Sequence, residues 1–418
     1  MKPGSHNRIA RASCVAALVL ATLLPALPVA AASAAATTPA APAYAVLAWN
    51  TLGMHCYNRD CQDLLILPPH NVLRAQVVQV GDPPRLVTDG IAVEYRVVDN
   101  TYSVGKTNFW TYAQALFGLA APLPPNVGLT GKGLSGKMDL AGDCFEAAGV
   151  PLTEFLDSAP RTPQPFQRVR IIVRDSATGR VLASTTTVAP VSSEIHCDNC
   201  HGDTGDATTS RPITPTGRVE TNILALHDYL NPGAYAPPLL SRRPVLCAGC
   251  HGSNALGAAG LPGVSSLSNA IHRRHKDLPD VTPDTAGCYN CHPGPATRCL
   301  RDAMSQRFRL SCVDCHGTMA AVAQNADPWL NEPRCDNANC HGTGYALEKP
   351  LYRESHGHGG AYCAGCHDSP HAIAPSREQR DAVKFVGMQG FGGALRRCTA
   401  CHATRPTAAF RHIPRPAP

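Results

Sequence analysis

One short pattern recurs seven times in the second half of the chain: two cysteines followed at once by a histidine. It opens with Cys197-Asp198-Asn199-Cys200-His201. Cys247, Cys250 and His251 repeat it, then Cys288, Cys291 and His292, then Cys312, Cys315 and His316. A stretched copy follows, Cys335-Asp336-Asn337-Ala338-Asn339-Cys340-His341, with two extra residues between its thiols. Cys363, Cys366 and His367, and Cys398, Cys401 and His402, complete the series. A chain that spends its cysteines this way folds around something other than side chains. Histidine is 18 of 418 residues, so seven adjacencies in seven pairs do not arise by chance. Cys56 and Cys61 give an internal control: they are followed by Gln62, and the pattern stops there.

The spacing has a chemical reading. Two thiols three apart can add to the two vinyl groups on one edge of a porphyrin, and the next residue then lies under the ring, where its imidazole can bind iron. Zinc ribbons also use paired C-x-x-C units, but have no need of a histidine directly after the second cysteine. The expectation is therefore seven covalent c-type haems. Their thioethers fall on the fourteen motif cysteines and their proximal iron ligands on His201, His251, His292, His316, His341, His367 and His402.

Ten further histidines can supply the second axial ligands: His55, His70, His196, His227, His272, His275, His356, His358, His371 and His412. His196 abuts the first motif and can reach a neighbouring haem. His227 lies in an apolar, helix-like stretch, Asn222–Leu230. His272 and His275 are three apart and share a helical face. His356 and His358 flank Gly357 just before the sixth motif, and His371 follows it. Met304 and Met319 are weaker candidates.

From His196 to His402, about half of the chain, the sequence resembles a secreted multihaem c-type cytochrome. Among these it is similar to the electron carriers of metal-respiring and other anaerobic bacteria. The resemblance implies electron transport along closely spaced, mostly bis-histidine haems. It implies redox partner proteins or extracellular acceptors, and allows self-association into filaments. The alternative is a multihaem reductase, acting on nitrite, hydroxylamine or a sulfur oxyanion, with one open iron. Several such enzymes place a lysine where the motif histidine stands, and none of the seven motifs here does so.

Residues 1–34 read as a secretory signal peptide. Lys2, Arg8 and Arg11 precede an apolar run from Cys14 to about Leu27, and Ala32-Ser33-Ala34 offers a cleavage site. Residues 35–43 read as an Ala/Pro linker. Export places the protein in the periplasm or outside the cell and predicts oxidised, committed cysteines. Cys56, Cys61, Cys144 and Cys299 are left over. Cys56 with Cys61 and Cys144 with Cys299 is the simplest of three pairings. No later stretch approaches a membrane span. The net charge of +6 falls to about +3 without the leader. With no basic run, nucleic acid is not a partner.

Residues 44–190 carry no motif and read as a mainly-β, sandwich-like domain. Tyr44–Trp49, Val72–Val80, Ile91–Val98, Val169–Arg174 and Val181–Val188 are the predicted strands. Val169, Ile171 and Val173 alternate with arginines, as in a half-buried strand. Asn108–Phe117 reads as a short helix. His55, set in a Gly- and Cys-rich loop, and His70 are expected to reach a haem of this chain or of the next subunit. Residues 191–418 are expected to be a haem-packed domain of short helices and irregular segments.

Overall fold

The computed structural model describes residues 43–278, 282, 284–345, 347–408 and 412. The signal-peptide and linker readings, and Cys14 with them, lie outside the described residues. Strands form where β-branched residues alternate with polar ones. In Phe166–Asp175, Val169, Ile171 and Val173 are fully buried while Arg168 and Arg170 are exposed, the period of two that a half-buried strand requires.

Two five-stranded sheets result. In the first, Tyr44–Asn50 pairs antiparallel with Asn71–Gln79, which pairs with Cys144–Val150 and carries Arg85–Leu86; Asp139–Ala141 closes the far edge. In the second, Val181–Ser192 pairs with Phe166–Asp175, then Ile91–Val97, then Ser135–Lys137. His55–Cys56 joins its other edge in parallel. Val46, Leu73, Val77 and Ala147 from one sheet meet Val93, Tyr95, Ile171 and Val191 from the other in a shared core, as sheets packed face to face do. The helix Phe109–Phe117 ends on Gly118 at φ 59°, a left-handed cap that glycine takes without strain.

Beyond Ser192 regular structure shortens. The longest helices are Val219–Leu230 and Leu267–His275, and most others span three to seven residues. The region joins the sheets at several points. Val245–Leu246 pairs in parallel with Leu64–Leu65, and Gly81 bridges His402. The Lys384 ammonium, buried, donates to the carbonyls of Ala48 at 2.9 Å and Ala364 at 3.3 Å and pairs with Asp368 at 3.1 Å. Pro42–Pro418 is one compact unit. No described helix is long and apolar enough to cross a membrane.

Candidate haem-binding centres

Each motif folds as one tight turn, for a local reason. The backbone N–H of the motif histidine donates to the carbonyl of the first cysteine. The distances are 2.8 Å for His201, 3.0 Å for His251, 2.9 Å for His292 and 2.9 Å for His402. Cys312–His316 and Cys363–His367 are complete helical turns, the former opened by a capping box of Ser311 and Asp314. The stretched motif makes the same bond, from His341 N to Cys335 O at 3.2 Å. Its two extra residues leave that bond in place.

The histidines then pair. His201 faces His275 with ring centres 6.3 Å apart, His251 faces His227 at 6.3 Å, and His292 faces His272 at 6.1 Å. His316 faces His371 at 6.0 Å, His402 faces His358 at 6.1 Å, and His367 faces His412 at 5.7 Å. Two metal–imidazole bonds of about 2 Å each, plus the ring radius at both ends, add to about 6 Å. This is the span of two imidazoles bound on opposite sides of one iron.

The outward ring nitrogens are held. His272 Nδ1 lies 2.7 Å from Ser268 O and His275 Nδ1 2.7 Å from Ile271 O, each four residues back along their helix. His251 Nδ1 meets Ser265 O at 2.9 Å, and His227 Nδ1 meets Tyr235 Oη at 2.7 Å, itself bonded to Asp228. An Nδ1–H given to a carbonyl fixes the tautomer that leaves Nε2 free to ligate. Burial, with a smaller effect from the facing imidazole, lowers His201, His292, His367 and His371 to about 4. All four are therefore neutral, the form a metal needs.

Thiols of different motifs also influence one another. Burial and then Cys291 raise Cys197, and Cys288 and Cys312 are in hydrogen-bonding contact. Cys315 feels Cys340, Cys363 feels Cys335, and Cys401 feels Cys366. His227, opposite His251, sits on the helix Val219–Leu230, which packs against the first motif's helix Asp198–His201. A cavity of about 270 Å³ opens beside Cys197, lined by Tyr57, Ile66, Ile195, Glu220 and Ile223. Among the described residues no group of three or more His, Cys, Asp or Glu is arranged to hold a metal ion. The four donors of a zinc ribbon are not gathered there.

Other expected ligands lie elsewhere. His196 Nε2 sits 3.1 Å from Gly294 O and 3.3 Å from Glu194, because Glu194 is anchored by the backbone of Ala296 and Thr297. His356 lies between Asp143 at 3.1 Å and Glu348 at 2.9 Å. Neither faces a motif imidazole. His341 has Tyr345 as its ring neighbour, at 5.5 Å. His55 and His70 face each other at 6.3 Å. The expected disulfides are not formed. No disulfide joins any of the described cysteines, and Cys56 has Cys299 as its electrostatic neighbour. Arg243 pairs with Asp63 at 2.9 Å, and Arg242 and Arg396 lie over Tyr235 and Phe391.

Tyr235 as a ligand-orienting group was not legible in the sequence. Neither were Ser268 and Ile271 anticipated, although their place four residues before His272 and His275 on one helix is a signal that could have found them. Comparison with protein-family models, with curated proteins and with solved structures gives no match.

Proposed function

We propose that the chain is an exported multihaem c-type cytochrome that carries electrons along seven covalently attached, mostly bis-histidine haems. The observation that carries this reading is the facing of six motif histidines by six others at one separation, 5.7–6.3 Å between ring centres. Haem iron between two imidazoles supplies reversible one-electron exchange. The fourteen cysteines tether, and the seven motif histidines ligate from one side. His275, His227, His272, His371, His358 and His412 close the other side against substrate. Carbonyls four residues back hold the rings of His272 and His275, and the Tyr235 hydroxyl holds that of His227. The contact of Cys288 with Cys312 and the electrostatic influence of thiols of one motif on those of another support one path, in the order second, first, third, fourth, fifth, sixth, seventh.

Donors and acceptors on this reading are redox proteins or extracellular acceptors, in periplasmic or extracellular anaerobic respiration. Filament formation is part of the same proposal. A second reading, a reductase with one open iron, is favoured by one observation. His341 is exposed and has a tyrosine where its counterparts have an imidazole.

The test is the visible spectrum of the exported protein, reduced with dithionite, before and after carbon monoxide. Electron carriage predicts sharp low-spin bands, with no more than one haem in seven responding. His275→Ala should then add one responding haem. Colourless protein, or a response from most haems, sinks the proposal. A response of one haem that disappears in a Cys335→Ser/Cys340→Ser variant moves the reductase reading forward.

A further inference from the structure

The pair His55 and His70 belongs to no motif, yet its geometry is that of the motif pairs. The ring centres are 6.3 Å apart and the planes inclined by 34°. The His358–His402 pair has 6.1 Å and the same 34°. Two rigid elements create the encounter. His55 lies in a strand paired in parallel with Val191. His70 follows the two prolines Pro68 and Pro69, whose φ is fixed, and precedes the strand Asn71–Gln79. The side chain of Asn71 donates to Pro190 O at 3.0 Å, so both histidines are fastened to the end of the same long strand, Val181–Ser192.

A second observation points to a ligand. His55 is only 6% exposed, and its Nε2 is buried with no hydrogen-bond partner. A buried nitrogen left without a partner is destabilising, so a core histidine without a ligand is a poor use of the site. Burial is the main cause that holds both rings neutral, the ligating form. The carboxylate electrostatically closest in effect to His70, Glu146, is taken by Arg74 at 2.6 Å.

The chemistry narrows the occupant. Zinc takes four donors in a tetrahedron, commonly with three or four from protein. Here only two imidazoles converge, and no third donor among the described residues completes a set. They also stand at the separation of ligands on opposite sides of a metal. An iron whose other four positions are already filled in a plane needs only two protein donors, placed opposite each other; Cu(I), which also binds two imidazoles in a line, is told apart by the iron and haem count below. A porphyrin fills the four positions in the plane.

We propose that His55 and His70 are the axial pair of an eighth haem, one with no Cys-x-x-Cys-His of its own. The inference rests on the multihaem reading above. The loop that carries His55 backs onto the sixth motif's trailing segment: a Cβ added at Gly53 would meet Pro370 O, the residue before His371. The eighth centre therefore adjoins the site of His316 and His371 and extends the row of centres into the sheets.

The experiment counts iron and haem per chain in the exported holoprotein. Acid extraction and the mass of the denatured chain then separate released haem from attached haem. The expected result is eight irons and eight haems in the wild type, and seven in His55→Ala and in His70→Ala. The control variant His356→Ala stays at eight. A released eighth haem is held by its iron alone, and a retained one is tethered through a neighbouring thiol such as Cys56; either supports the site. His70→Met serves if the alanine variants fold poorly. It keeps eight haems and raises the potential of one couple. Seven haems in the wild type, or a count unmoved by both alanine variants, overturns the inference while the heptahaem reading stands. No covalent haem at all overturns the reading on which it rests.

Discussion

The two halves of this molecule solve the problem of an interior in opposite ways. Residues 43–192 bury apolar side chains against each other. Every member of the main core lies at or before Val191. Among the largest side chains that are fully buried, nine of twelve come from this half, and all nine are aromatic or leucine. The other three are Arg301, Lys384 and Phe385. Two of the three are charged, each paired with an aspartate: Arg301 with Asp381 at 2.7 Å and Lys384 with Asp368 at 3.1 Å. The first half follows the hydrophobic rule. The second is organised by imidazoles, thiols and buried ion pairs. On the proposed function the porphyrin faces are its missing apolar surface.

The largest expected effect tests that contrast directly. Full-length chain produced without haem attachment should keep protease resistance over 43–192 and lose it over 193–408. Equal protection of both halves would end the comparison, because the second half would then hold itself together. Lys384→Met probes the seam. It strips the counter-charge from Asp368, whose side chain is 10% exposed, and the two carbonyls that Lys384 now joins lose their common donor. Removing one partner of a buried pair costs about 3–5 kcal/mol, read as a loss of stability in denaturant with haem content unchanged. Ile171→Val should cost only about 0.5–1.5 kcal/mol. It deletes one methylene from the core between the sheets and leaves the haem spectrum untouched. A spectral change in that variant would show that the sheets and the iron sites are not separate bodies of structure.

Much of the first half was legible because its signals are local. The strand expected at Val72–Val80 is Asn71–Gln79, and Ile91–Val98 is Ile91–Val97. The helix expected at Asn108–Phe117 is Phe109–Phe117. Cys144–Val150 escaped notice because Ala147, Ala148 and Gly149 lack β-branching and carry no alternation. It is a strand because its neighbours pair with it on both sides. In the second half the motifs were readable as chemistry but the pairings were not. Sequence spacing says that His227 can ligate; only the fold decides between His251 and His201, which lie at almost equal distances along the chain, and it brings His227 opposite His251. His196 looked well placed by adjacency alone, and lost its position to Glu194, whose carboxylate is tied down from the far side of the chain. His55 and His70 were expected to reach a haem, and no pattern in the sequence pointed to their facing one another.

The helix Leu267–His275 presents His275 to the first motif and His272 to the third. It acts as a connecting rod with two fixed bearings. Each residue turns the helix by about 100°, so inserting a single residue before Ser268 would swing both rings away from their partners together. On the proposed function, the two redox couples can therefore be tuned separately through their surroundings, but not through this helix without altering both. The pair must also be assembled in sequence. His275 can meet His201, which is made before it, while His272 waits for a motif that the ribosome has yet to supply.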